Sequence, residues 1–257
     1  LNTLLVGGLG VLAASIIGFI VGIARLSPNW LIAKLANAYI ETFRNIPLLL
    51  QIFFWYFAVL RTLPSARESM AFGEAIFLNV RGLYLPQQLF ESGFGLIPIT
   101  FVVAIIASIA LIVWNKRRHE ATGKRLPVFW ISLVIIFGLP LLVLVATGVP
   151  VTWEMPVLRG FNFGGGITII PEFLALWLAL SIYTASFIAG IVRSGLQAIP
   201  HGQTEAAQAL SLPRKLVLRL VVIPQAMRVI IPPLTSQYLN LIKNSSLATA
   251  IGYPDLV

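Results

Sequence analysis

The sequence predicts an all-α, polytopic membrane protein with about six spanning helices. Three observations carry that reading. Of 257 residues, 58% are hydrophobic and only 11% are charged, against about 25% charged in soluble domains. Mean hydropathy is +0.91. Apolar runs close to the length that crosses a hydrocarbon core, about 20 residues, recur along the chain with polar joints between them.

The first run, roughly 1–24, carries Gly18-xxx-Gly22, a spacing that lets another helix approach closely. Joint 25–45, RLSPNWLIAKLANAYIETFRN, sets Leu31, Ile32, Leu35 and Tyr39 at helical spacing. It reads either as an amphipathic helix at the interface feeding the next span at Pro47, or as an extension of that span. The second span is 46–63. Residues 64–95 hold Glu68, Glu74 and Glu91 and are expected to form an outer loop with short helical pieces. Spans three and four, 96–114 and 127–147, flank the basic run KRRHEATGKR (116–125). FNFGGGITIIPEF (161–173) is expected as a flexible outer turn before span five, 171–192. Its glycines 164–166 do not read as a phosphate loop, because no strand is expected before them and no Lys-Ser/Thr follows. Gly123-Lys124 is followed by Arg125 and lacks the upstream glycine. ATP use would therefore belong to another chain. The sixth run, 229–251, is expected to be broken at Pro232-Pro233 and is interrupted by Gln237, Tyr238, Asn240, Lys243, Asn244, Ser245 and Ser246.

Charge sets the orientation. Joints 25–45, 115–126 and 193–228 hold thirteen Lys/Arg, and the opposite side holds four, Arg61, Arg67, Arg81 and Arg159. Basic loops face the cytoplasm, so those three joints are inside. The same bias accounts for the net charge of +9 without nucleic acid. Absence of Cys excludes disulfides, Cys-ligated metals and a thiol nucleophile. Two His and nine carboxylates are a thin supply for hydrolytic or metal chemistry. The chain opens on Leu1 and stops at Val257 after an apolar stretch. It is read as one domain, 1–257, trimmed at both ends.

The long cytoplasmic loop 193–228 contains QTEAAQALSLPRKLVLRLVVIPQ (203–225). Glu205-Ala206-Ala207 is expected to begin a short helix whose small side chains let another surface approach the backbone. Ser211 is expected to cap a helix starting near Pro213. Arg214, Lys215 and Arg219 are expected to face water or a partner, and Pro224 to end the segment.

Glu-Ala-Ala, a turn position six residues after the Glu, then Ile223-Pro224, resembles the EAA loop of ABC importer permeases. ETFRNIPLLLQIFFWYF (41–57), SIYTASFIAGIVRSGLQAIPHGQTEAA (181–207) and PQAMRVIIPPLTSQYLNLIKNSSLATAIG (224–252) resemble the polar-amino-acid group of that family, most of all the general L-amino-acid permease subunits. The resemblance covers nearly the whole chain and implies a type I importer transmembrane domain with a further span after Val257. It implies a coupling helix that docks in a cleft of an ATPase subunit, with docking expected on Gln203, Glu205, Ala206, Ala207, Ala209, Leu210 and Ser211. Ser211 departs from the usual Gly, which suits a left-handed backbone better. The implied partners are two ATPase subunits that use ATP and Mg, a second permease (a paralogue or an identical copy), a periplasmic or tethered substrate-binding protein, and an amino acid. This chain would bind no cofactor and be no enzyme. The implied location is the bacterial cytoplasmic (inner) membrane.

A charge at membrane depth costs about 2.5–3.5 kcal/mol on insertion scales, and polar, broken helices survive there when they line a cavity. The substrate path is therefore expected along Tyr183, Ser186, Gly190, Gln237, Asn240, Lys243, Asn244 and Ser245, with Lys243 meeting a substrate carboxylate. Much of the resembled group carries Glu where this chain has Gly190. Losing that negative charge favours neutral and acidic L-amino acids. A stand-alone secondary transporter or channel would need ionisable pairs inside its spans, yet apart from Lys243 the clear spans hold none in their interior. A membrane-embedded lipid enzyme would need clustered His, Asp or Glu, and His119 and His201 have no such cluster in sequence.

Overall fold

Helix α1 (Asn2–Ala24) opens a computed structural model that describes residues 2–123 and 126–253. Lys124 and Arg125 of the basic turn, and 254–257, lie outside the described residues. Five helices are long and apolar enough to cross a membrane, or six if a pair bent by 103° counts as one span. The chain divides into two compact units, one of 1–71, 77–83 and 168–257, the other of 72–76 and 84–167.

In the first unit, α1 is followed by α2 (Trp30–Asn45) and α3 (Leu48–Phe53), the bent pair. Asn29 starts α2, its Oδ1 accepting from the Leu31 and Ile32 amides. Pro47 stops it by forcing Ile46 to an extended backbone, φ −86° and ψ 126°. The joint is thus a separate helix meeting the second span at a corner, which settles the two readings of 25–45. Span two continues from α3 through a wide π-helical turn, Phe54–Val59, and a short 3₁₀ turn to Thr62.

Helix α6 (Pro171–Gln197) is the centre of this unit and contributes more to its core than any other element, including Leu176, Leu180, Ile188 and Val192. Its partner α1 comes close because of its glycines: a β-carbon at Gly18 would stand 2.6 Å from Ile188, and one at Gly22 2.9 Å from the Ala189 carbonyl oxygen. Helix α9 (Ile223–Asn244) packs on α6 and α1, with Ile230 against Gly195 and Leu241 against Gly10. Between α6 and α9 lie α7 (His201–Ala209), α8 (Arg214–Val217) and a π-helical turn, Leu218–Val222. A 3₁₀ segment, Ser245–Ile251, follows α9.

Two expectations for this stretch are corrected. Pro224 does not end the segment; it sits in the first turn of α9, where a missing amide is tolerated. The preceding π turn, in which the Ile223 amide donates to the Leu218 carbonyl five residues back, keeps the path helical. Nor do Pro232 and Pro233 break the span: both lie inside α9. The α-helix gives way instead at Ser245.

The second unit contains α4 (Leu96–Thr122) and α5 (Val128–Ala146), which pack side by side and bury few of their described side chains. Such faces are suited to lipid, where no water needs to be avoided. Gly123, at φ 71°, closes α4 with its amide on the His119 carbonyl at 2.9 Å. Segments 64–95 and 161–173, expected as an outer loop with short helical pieces and a flexible outer turn, hold one 3₁₀ turn, Ala66–Glu68, and otherwise strands. Within this unit β4 (Gln87–Phe90) pairs antiparallel with β5 (Val151–Glu154), Gln87 opposite Glu154. β6 (Val157–Arg159) pairs with β7 (Asn162–Gly164). Tyr84 locks onto β7, donating to Asn162 Oδ1 at 2.7 Å with its ring on Phe163. A strand therefore does precede Gly165-Gly166, although Ile167-Thr168 follows where a phosphate loop needs Lys-Ser/Thr. Four further short strands, β1 (Met70–Phe72), β2 (Ile76–Asn79), β3 (Gly82–Leu85) and β8 (Ile167–Ile169), lie where the chain passes between units.

Candidate functional site: an exposed short helix and a cavity with one arginine

Two features of the first unit stand out chemically. The first is α7. Pro200 precedes it, and it is nine residues long. Its C-terminus closes with two reversed bonds, the Ser211 amide to Gln208 at 2.8 Å and the Leu212 amide to Ala207 at 3.2 Å. With Ser211 at φ 57°, this is the Schellman arrangement. Ser211 therefore takes the left-handed conformation and stops α7. It does not cap α8, whose N-cap is Pro213 with no side-chain bond; Pro213 leaves the backbone no need for a Ser hydroxyl two residues earlier.

Ala207 is buried and faces the helical turns that follow, while Gln203, Glu205, Ala206, Ala209, Leu210 and Ser211 are exposed. Leu210, 76% exposed at the helix tip, is an apolar group in a polar loop. Gln225 Nε2 donates to Gln203 Oε1 at 3.3 Å, joining α7 to the base of α9. Arg214, Lys215 and Arg219 are exposed.

The second feature is a cavity of about 400 Å³ between α2, α6 and α9, lined by Arg44, Phe187, Gly190, Ile191, Ser194, Gly195, Val229, Pro233 and Gln237. Arg44 lies over the Phe187 ring, 5.1 Å from its centroid. Gly190 lies beside Arg44 in the wall: a β-carbon there would stand at an ordinary contact distance, 3.8 Å, from Arg44 Nη1. Nearby, the Arg25 guanidinium is pushed below its usual value, first by burial and then by Arg193, with Arg44 adding to that and Glu41 opposing it.

Of the residues expected on a path, Gly190 and Gln237 line this cavity. Tyr183 does not line it; its ring meets Phe187 in a tilted contact, centroids 5.0 Å apart. Ser186 is buried with its hydroxyl on the Tyr183 carbonyl at 2.6 Å. Asn240 and Lys243 are exposed on α9, Asn244 is half-buried at its end, and Ser245 is buried with its hydroxyl on the Ile242 carbonyl at 2.7 Å. These last four do not line the cavity. Arg44, Phe187 and Ser194 escaped the sequence reading. Arg44 was counted only as a loop charge; its place just before Pro47, where a helix must turn, was the available signal.

At the far end of α6, Glu172 accepts from Tyr56 Oη at 2.7 Å, and Arg61 donates to the same Tyr56 hydroxyl. Arg61 and Glu172 form an ion pair at 3.8 Å.

Residues 122–257, just over half of the chain, match the family described as binding-protein-dependent transport system inner membrane component. The chain belongs to that family. Over its full length this family member is 56% identical to the putative amino-acid ABC transporter permease protein YhdX of Escherichia coli K12 and to the general L-amino acid transport system permease protein AapQ of Rhizobium johnstonii. Over 91% of its length it is 42% identical to the glutamate/glutamine/aspartate/asparagine transport system permease protein BztB of Rhodobacter capsulatus. The chain spans about two thirds of each relative, 65%, 64% and 62% respectively. A crystal structure of an amino acid ABC transporter with histidines shares the fold, with a TM-score of 0.52 at 20% identity, covering 99% of this chain and 70% of that one.

Proposed function

We propose that this chain is the transmembrane domain of a permease subunit in an ATP-driven amino-acid importer of the bacterial inner membrane. It forms one side of the translocation path and makes no covalent chemistry. Two ATPase subunits using ATP and Mg, a second permease and a substrate-binding protein complete the machine. The carrying observation is α7: a short, exposed helix with a tight Schellman stop, bonded through Gln203 to Gln225 at the base of α9, in a chain of this family. A push on α7 reaches α9, and α9 packs on α6 and bounds the cavity. Nucleotide binding in the partner supplies the differential affinity that any such two-state change requires.

Substrates are neutral and acidic L-amino acids. The name of BztB supports this, that of AapQ supports L-amino acids in general, and the absence of a carboxylate at Gly190 beside Arg44 fits both. The exposed face of α9 carrying Asn240 and Lys243 is offered to the second permease, so that both chains line the path.

The test is reconstitution of the complete complex in liposomes with an Ala206→Cys crosslinking site and a Glu205→Ala variant. We expect crosslinks from α7 to the ATPase and loss of most uptake in Glu205→Ala. Absence of both, or uptake by this chain alone on an ion gradient, overturns the reading.

A further inference from the structure

We infer that Arg25, Arg44 and Arg193 form an anion site where α1, α2 and α6 meet, and that its occupant is the headgroup of an anionic phospholipid of the cytoplasmic leaflet. This goes beyond the importer reading and does not depend on which solute is carried.

Three helices that pack on one another bring the arginines together. Gly22 draws the end of α1 onto α6, since a β-carbon there would stand 2.9 Å from both the Ala189 carbonyl oxygen and Val192 Cβ. Arg25 lies three residues beyond Gly22, and Arg193 follows Val192. Arg44, in the last turn of α2, stands 3.8 Å from the β-carbon position of Gly190, three residues before Arg193 on α6. Arg25 and Arg193 are half-buried, and Arg44 is exposed. Burial holds the Arg25 guanidinium below its usual value, and Arg193 and Arg44 add to that while Glu41 opposes it. The three cations therefore sense one another. Among the described residues, none of them forms an ion pair or donates a side-chain hydrogen bond.

Half-buried charges of one sign are costly unless an anion offsets them. Glu41 supplies one negative charge against the three guanidiniums, and its carboxylate already accepts from Asn45 Nδ2 at 3.5 Å. A phosphate suits the remainder, because its oxygens can accept from more than one guanidinium fork at once. The surroundings select a lipid as its source. Lys/Arg asymmetry assigns this end of α1 to the cytoplasmic side, where the leaflet is negatively charged. Ile16, Ile20 and Ile23 recur at helical spacing along α1 and are all exposed, a strip for an acyl chain that ends two residues before Arg25. On α2, Trp30, Leu31 and Leu35 are exposed as well, with the Lys34 ammonium 5.8 Å from the Trp30 ring centroid. An apolar strip below and a cationic tip above is the pattern of a helix lying in the headgroup boundary. A free anion would have no use for the apolar strips.

The experiment uses the full-length permease in its complex with the second permease and the ATPases, stripped of lipid in detergent. Its thermal stability is titrated with cardiolipin, phosphatidylglycerol, phosphatidylcholine and inorganic phosphate. We expect the two anionic lipids to stabilise the wild type, and phosphatidylcholine and inorganic phosphate to have little effect. For Arg25→Gln/Arg193→Gln the half-saturating concentration of anionic lipid should rise about 10- to 100-fold, the range for losing hydrogen-bonded charges. Without lipid the same variant should be at least as stable as the wild type, because like charges have been removed. Lys116→Gln/Arg117→Gln, on the separate basic run 116–125, should leave the titration as it is. An equal rise in that control means diffuse attraction to a basic surface and overturns the inference. So does an unshifted titration in Arg25→Gln/Arg193→Gln. If this variant does not assemble, Arg25→Gln is titrated alone, with a rise of about 3- to 10-fold expected and no rise overturning the inference. Stabilisation by inorganic phosphate in place of lipid reassigns the site to a free anion and overturns it. Equal destabilisation of the variant with and without lipid assigns the arginines to a carboxylate of a partner subunit and also overturns it.

Discussion

The Gln51 side-chain amide donates to the Phe43 carbonyl at 2.8 Å and to the Ile46 carbonyl at 2.9 Å, bridging the 103° corner between α2 and α3. Pro47 opens that corner and leaves the last carbonyls of α2 without helical donors; Gln51, buried at 4% exposure, supplies them. Arg44 sits between the two accepting residues, so the corner fixes where its guanidinium reaches the cavity. Gln51→Leu keeps the volume and removes the donor. We expect it to cost about 1–3 kcal/mol from the buried carbonyls left unpaired. Thermal unfolding of the detergent-solubilised complex measures this.

The contact of α1 with α6 depends on hydrogen in place of a side chain. A β-carbon at Gly18 would stand 2.6 Å from both Cβ and Cγ2 of Ile188, and one at Gly22 would meet Val192 at 2.9 Å. These atoms cannot swing away, since β-branched side chains are stiff in helices. Gly18→Val should cost about 1–3 kcal/mol by overpacking and reduce recovery of folded protein. The double variant Gly18→Val/Ile188→Ala should regain part of it. Full stability in the single variant would mean that α1 is not held in this register.

Much of this architecture was legible because its causes are local. Length and apolarity marked the spans, and Gly18-xxx-Gly22 marked a close approach. The separate character of α2 stayed ambiguous, since amphipathic periodicity alone does not reveal a corner. The outer strands were missed because short pairings such as Gln87 with Glu154 join segments more than 60 residues apart. Proline was misjudged at 224 and at 232–233. A π turn or a cavity absorbed what isolated-helix rules treat as a break. Gln237 was singled out by its polarity and Gly190 by the resemblance, and both line the cavity. Arg44 was not singled out, because its charge was read as a topology signal.

Ser211 adopts φ 57°, a conformation that costs L-residues about 1–2 kcal/mol. The Schellman bonds at Ala207 and Gln208 compel it. Ser211→Gly should therefore stabilise the complex, by up to about 1 kcal/mol, while retaining uptake. Ser211→Val should do the reverse and loosen α7. Hydrogen exchange at the Ser211 and Leu212 amides reports both changes directly. Faster exchange in Ser211→Gly would show that the hydroxyl, not the backbone, holds this turn.

Lys243 lies in the last turn of α9, exposed and away from the cavity. A cation there favours the helix C-terminus by about 0.3–1 kcal/mol, so a purely structural role predicts a small stability loss and normal transport. A role on the path between two permeases predicts the opposite: near-normal stability and uptake reduced about tenfold or more, as for a lost charged contact. We expect the second pattern for Lys243→Ala in liposomes containing the assembled complex. Partial recovery is expected in Lys243→Arg, which keeps the charge but not the compact ammonium. Unaltered rate and affinity in Lys243→Ala would assign this residue to the helix terminus.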